Sequence, residues 1–163
     1  NDCNHECFMR VALKQANKAY GLDEVPIGAI IVDPNGKIIG RGYNLTETKK
    51  TQLAHAELNA IKQATKKIGD WRLDGCTIYI TLEPCCMCFY AIALSRCATI
   101  VYGASSPLFG FALDSTGGDR IYKKHIEKIV SGVCREESAN LLKSFFKGQR
   151  GERNEWCGKK DKC

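Results

Sequence analysis

Cys76-Thr77-Ile78-Tyr79-Ile80-Thr81-Leu82-Glu83-Pro84-Cys85-Cys86-Met87-Cys88 carries a strand, a break and the start of a helix within thirteen residues. Cys76 to Leu82 is rich in β-branched and aromatic residues and has no Gly, Pro or charge, so it reads as a central strand. Pro84 is expected to open a helix that runs to about Arg96, because proline is favoured in a helix's first turn. On that helix Cys85 and Cys88 are three residues apart, so their thiols share one face. They also sit where unpaired backbone N–H groups and the positive helix end favour thiolate, the form that binds metal. Cys86 is one position from Cys85 and points elsewhere.

Upstream, His55-Ala56-Glu57 opens the preceding helix. If the central strand neighbours the first hairpin, both helix starts lie at one end of the sheet. His55, Cys85 and Cys88 can then meet at one ion. Three protein ligands leave the fourth position of a tetrahedral zinc open for water, which separates a catalytic site from a closed structural one. Zinc in such a site acidifies water to near neutral pH. Glu57 has the reach and the pKa range to move that water's protons. A lone Cys-x-x-Cys also serves in redox motifs and in structural zinc sites, and His5, His125 and the remaining cysteines are available as a fourth ligand.

Outward from this core the chain reads as alternating helices and strands. Phe8, Val11, Ala12, Ala16 and Ala19 recur at helical spacing within His5 to Tyr20. Ile27 to Val32 and Lys37 to Gly42 read as strands joined by the turn Asp33-Pro34-Asn35-Gly36. Asn44 to Gln52 reads as loop, Ala54 to Lys66 as helix, and Thr99 to Ala104 as strand. Ser105 to Gly118 reads as a long loop, Ile129 to Val133 as a last strand and Glu136 to Lys147 as a last helix. This order predicts an α/β fold whose sheet is mixed rather than wholly parallel.

The length fits one domain, 1–150, followed by a polar, basic tail, 151–163, expected to be flexible. No apolar run is long enough to span a membrane, and a soluble cytoplasmic protein is the expectation. Three of the 10 cysteines crowd into positions 85, 86 and 88, which suits metal binding, and the others are expected to be reduced. The net charge of +6 lies wholly in residues 120–163, where 12 Lys/Arg face 6 Asp/Glu. Residues 1–119 balance at 12 of each. A basic C-terminal third is compatible with a polyanionic partner, and equally with a merely solvated surface.

The joint His-x-Glu and Pro-Cys-x-x-Cys pattern is the general signature of zinc-dependent nucleobase deaminases. Pro26-Ile27-Gly28-Ala29-Ile30-Ile31-Val32, His55-Ala56-Glu57, Thr81-Leu82-Glu83-Pro84-Cys85-Cys86-Met87-Cys88 and Ser95-Arg96 leading into Ile100-Val101-Tyr102-Gly103-Ala104 resemble the bacterial tRNA-specific adenosine deaminases. The likeness runs from about His5 to Arg150 and is closer than that to the cytidine, riboflavin-pathway or guanine deaminases of the same superfamily. It implies a three-layer α/β/α cytidine-deaminase-like fold, a homodimer and one Zn2+ per subunit. It implies a tRNA anticodon stem-loop as partner, with the wobble adenosine flipped out and deaminated at C6 to inosine. His55, Cys85 and Cys88 would hold zinc, and Glu57 would shuttle protons. Asn44 and the backbone N–H of Ala56 would hold the base, although Asn44 by sequence alone reads as a loop residue capping its own turn. Ser106 stands where many relatives carry an Asp that touches the RNA backbone; it keeps a hydrogen-bonding hydroxyl and brings no charge. Lys143, Lys147, Arg150 and Arg153 are the expected phosphate contacts. A deaminase of a free nucleobase or nucleotide, of guanine or cytosine type, is the alternative, followed by a non-catalytic zinc-containing RNA-binding module.

Overall fold

The structure is a computed structural model that describes residues 2–113 and 123–160, with side chains over 4–112 and 124–149. Helix α1 (Asp2–Tyr20) leads into the hairpin β1 (Gly28–Val32) and β2 (Ile38–Tyr43). A short helix α2 (Thr46–Lys49) and a 3-10 turn (Gln52–Ala54) precede α3 (Ala56–Ile68). Then come β3 (Thr77–Leu82), α4 (Cys86–Leu94), β4 (Thr99–Ala104), β5 (Lys128–Ser131) and α5 (Arg135–Lys160).

The sheet order is β2-β1-β3-β4-β5. β1 is antiparallel to β2 and β3, while β3, β4 and β5 run parallel, so the sheet is mixed as expected. Alternation along the strands separates two cores. Ala29, Ile31, Ile78, Ile80, Ile100 and Tyr102 face α3 and α4, where they meet Ala60, Ala64, Phe89 and Ile92. Ile30, Val32, Tyr79 and Val101 face α1 with Met9 and Ala12, and α5 packs on the same side. Helices on both faces make three layers.

Two glycines set the distance between layers. A Cβ at Gly42 would overlap the carbonyl oxygen of Ala56 and crowd the backbone N of Ala60 on α3. A Cβ at Gly28 would overlap the Ala12 carbonyl and the Ala16 nitrogen on α1. Backbone therefore lies on backbone, and the N-terminus of α3 is held tightly against β2.

The structure departs from the sequence reading at several boundaries. Pro84 is not in the first turn of α4: Cys85 is the N-cap, with φ −71° and ψ 166°, and the helix starts at Cys86. The Pro84 carbonyl instead accepts from Phe111 N–H at 2.9 Å, which ties it to the β4 loop. The 44–52 segment is not plain loop, because the buried Glu24 carboxylate accepts from Glu47 N–H at 3.1 Å and Thr48 N–H at 2.6 Å and so caps α2. Part of the expected 105–118 loop forms a 3-10 turn, Phe111–Leu113, and 114–118 lie outside the described residues. The last helix runs well past the expected Lys147 and takes in 151–160 of the expected polar tail. Lys, Arg, Gln and Glu are good helix formers, and no proline interrupts them there.

Candidate active site

The ligand-bearing residues are helix caps. His55 is the N-cap of α3 and Cys85 the N-cap of α4, both with extended backbone. Cys88 is the third residue of α4, and Glu57 the second of α3. β1 lies between β2 and β3, so the hairpin that carries the start of α3 and the strand that feeds α4 are neighbours. The chain ends of the two loops meet there, and one donor atom each from His55, Cys85 and Cys88 lies within 4.8 Å of the others. His55 Nδ1 is 3.4 Å from Cys88 Sγ and 3.8 Å from Cys85 Sγ.

The far side of the imidazole is also fixed. Nε2 meets Gln52 Oε1 at 3.1 Å, where a protonated Nε2 donates to the amide oxygen. In that tautomer the Nδ1 lone pair faces the thiols, the orientation a metal-binding histidine needs. Cys85 has its pKa lowered to about 4, first by the hydrogen bond from Cys88 and then by His55, against the opposing effect of burial. Cys88 is pushed up, chiefly by that same bond and by burial. His55 is raised by its hydrogen bond to Cys85. Thiols and imidazole bind a cation as deprotonated donors, so metal binding here would release protons.

The residues present fit zinc: two thiols and an imidazole nitrogen converge from two helix caps. Among the described residues no fourth His, Cys or carboxylate joins them, so the set is that of an open site rather than a closed structural one. A dithiol redox pair would need neither His55 nor Glu57.

Glu57 is 4% exposed and lies against this cluster. Burial pushes its carboxyl above the usual range, the His55 charge pulls it down, and Cys85 pushes it up again. A buried carboxyl with a raised pKa, next to an open metal position, can take and return a proton near neutral pH.

Asn44 is buried near the same end of the sheet, and its loop is tied to the start of α3 by Leu45 N–H donating to Ala54 O at 3.0 Å. Its Oδ1 accepts from Thr46 Oγ1 at 2.6 Å and Thr46 N–H at 3.3 Å. Its Nδ2 donates to Val25 O at 3.3 Å and reaches Glu24 at 3.5 Å. In this structure Asn44 therefore caps its own turn. Ala56 is buried in the first turn of α3, where backbone N–H groups lack intrahelical partners. Ser106 is buried, its N–H donating to Glu83 Oε2 at 2.9 Å. Lys143 and Lys147 are exposed on α5, in the layer opposite α3 and α4, and the structure does not bring them to the cluster. The Arg150 and Arg153 side chains lie outside the described residues.

Sequence reasoning missed four residues that build the site. Gln52 fixes the imidazole. Asn59 Nδ2 donates to both Tyr43 O and Ala54 O at 3.0 Å, joining β2 to the approach to His55. Glu24 and Glu83 are buried carboxylates whose partners are backbone N–H groups 23 to 29 residues away. Their sequence signal, an acid beside an apolar or proline-containing stretch, is too weak to identify them.

Fold and cluster together define a zinc-binding deaminase domain, and residues 2–104 match the family described as the cytidine and deoxycytidylate deaminase zinc-binding region. The chain is 44% identical over 148 residues to a tRNA-specific adenosine deaminase of Bacillus subtilis, covering 89% of this chain and 90% of that protein. It belongs to the family of tRNA-specific adenosine deaminases. A solved structure from a study of A-to-I editing by tRNA:A34 deaminases superposes with TM-score 0.74 at 39% identity, over 83% of this chain and 98% of that one. A guanine deaminase from Nitrosomonas europaea shares the fold with TM-score 0.76 at 22% identity, covering 86% of this chain and 83% of that one.

Proposed function

We propose that this chain hydrolytically deaminates the wobble adenosine of a tRNA anticodon to inosine. The observation that carries the reading is the three-ligand cluster with buried Glu57 against it. The relatives that carry tRNA-specific names supply the substrate.

His55, Cys85 and Cys88 would hold zinc, which would supply the acidity that makes water a nucleophile at neutral pH. Glu57 accepts a proton as water attacks C6 and delivers it to the purine N1. The bond from C6 to the amino nitrogen then breaks, and the second proton of the water leaves with ammonia. The first-turn N–H of Ala56 faces the base edge. Nδ2 of Asn44, held only by contacts of 3.3 and 3.5 Å, turns to the base when it enters. Ser106 lies on the RNA path, and Lys143, Lys147 and Arg150 meet phosphates further from the reacting base.

The active form is a homodimer. Helix α4, Cys86–Leu94, is apolar around its whole circumference, yet Met87 and Leu94 are exposed. A helix apolar on all sides is normally covered on all sides. The site of action is the cytoplasm, where tRNA is processed, and among the described residues no helix is long and apolar enough to cross a membrane.

The test is nucleoside mass spectrometry after incubating the zinc-loaded protein with an anticodon stem-loop carrying adenosine at the wobble position. Free adenosine, cytidine and guanine run in parallel. Inosine in the RNA alone is the expected outcome. Product from a free base or nucleoside alone replaces the tRNA reading with the free-nucleobase one.

A further inference from the structure

The loop after β4 carries two large apolar side chains in solvent next to a zinc ligand. Leu108 is 76% exposed and Phe109 73%. They are not on a loose excursion. At one foot of the loop, Ser106 N–H donates to Glu83 Oε2 at 2.9 Å. At the other, Ala112 N–H donates to Glu83 Oε1 at 3.2 Å, and Phe111 N–H to Pro84 O at 2.9 Å. Gly110 N–H closes the turn onto Ser106 O at 3.0 Å, and Gly110 pairs across to Cys85 as an isolated β-bridge. A Cβ at Gly110 would overlap the Glu83 carboxylate, so the loop presses against residues 83–85. Phe111 then turns inward and stacks on Phe89 at 4.3 Å with planes 9° apart. The loop is thus pinned to the segment that presents Cys85, and its tip projects an aromatic ring outward from that anchor.

We infer that Phe109, flanked by Leu108, is a stacking platform for the nucleobase next to the reacting adenosine. The inference rests on the tRNA reading above. Flipping a base into a buried site strips its neighbour of one stacking partner, and an aromatic side chain is the group that replaces it. Residues 105–110, Ser-Ser-Pro-Leu-Phe-Gly, hold no charge, so this tip does not bind phosphate as a cation would. A base face is the part of a single-stranded loop that an uncharged aromatic tip recognises. The tip lies one β-bridge from Cys85, so a base there is adjacent in the RNA to one at the zinc site. Phe109 is on this account a specificity residue, and Glu83 the positioning residue that aims it.

The experiment compares wild type, Phe109→Ala and Phe109→Tyr, all with zinc content measured. The substrates are the adenosine stem-loop and two stem-loops with an abasic nucleotide 5′ or 3′ of the target. Phe109→Ala should lose about five- to a hundredfold in kcat/KM on the intact stem-loop, the range that one base–aromatic stack contributes. Phe109→Tyr should keep most of the activity. One abasic stem-loop should cost the wild type a similar factor and cost Phe109→Ala nothing further. Equal activity of Phe109→Ala and wild type overturns the inference, and so does a ratio of wild-type to Phe109→Ala activity that is the same on both abasic stem-loops as on the intact one. Absence of inosine with the wild type on the intact stem-loop refutes the tRNA reading itself, and the platform with it.

Discussion

At the scale of single residues, the proposed chemistry depends on the carboxyl of Glu57, which is hydrogen-bonded to Cys88. Glu57 is buried beside the His55–Cys85–Cys88 cluster, and that burial raises its pKa. Replacing it with Gln preserves shape and removes the proton carrier. Glu57→Gln should retain zinc and fold while turnover falls by at least about 10²- to 10⁴-fold, the usual contribution of a positioned acid–base group. Normal turnover in a zinc-replete variant would remove the mechanism. The His55–Cys85–Cys88 cluster, with Glu57 beside it, was legible in the sequence, because metal ligation restricts residue type and spacing tightly. Gln52 and Asn59 were not, since an amide that orients an imidazole or bridges two carbonyls can stand almost anywhere.

At the scale of elements, the sequence located the long helices and strands by their apolar runs or periods, though not the full length of α5. It failed where a distant side chain decides. Helix α2 is four residues long and exists because Glu24, some 23 residues earlier, accepts its first N–H groups. Pro84 likewise reads as a helix opener, and its carbonyl is taken instead by Phe111. Glu24 gives a pH prediction. Burial raises its pKa, but the hydrogen bonds from Thr48 and Glu47 outweigh that and hold it below the ordinary value. A carboxyl with a depressed folded pKa stabilises the fold above its unfolded pKa. That stability is lost as the pH falls through the folded value. Thermal melts from neutral to acid pH should therefore show Glu24→Gln less stable at pH 7, by about 1–3 kcal/mol. The gap should narrow below the normal carboxylate range. A gap that stays constant with pH would show that the charge on Glu24 contributes nothing.

At the scale of the whole molecule, the candidate site is built from α3, α4 and their loops, while Lys143 and Lys147 stand exposed on α5 in the opposite layer. Substituting Lys143, Lys147, Arg150 and Arg153 by Ala should weaken tRNA binding. It should also flatten the dependence of log K on log salt by roughly 0.7–0.9 for each phosphate contact removed. An unchanged slope would assign the tail's charge to solubility. The apolar face of α4 predicts a second outcome: Leu94→Glu should shift sedimentation from dimer to monomer while zinc content holds, because Leu94 is exposed in the single chain. The candidate phosphate contacts were named from charge placement in the sequence, but the exposure of Leu94 was not legible there, where an exposed leucine and a buried one look alike.

The ligands sit on two helix caps thirty positions apart, His55 and Cys85. A cation gripped there would tie together two helix starts that already share a core and close a long loop, as a covalent staple would. Zinc bound there would stabilise the folded state in proportion to its occupancy, so the thermal midpoint should fall on chelation and recover on zinc addition.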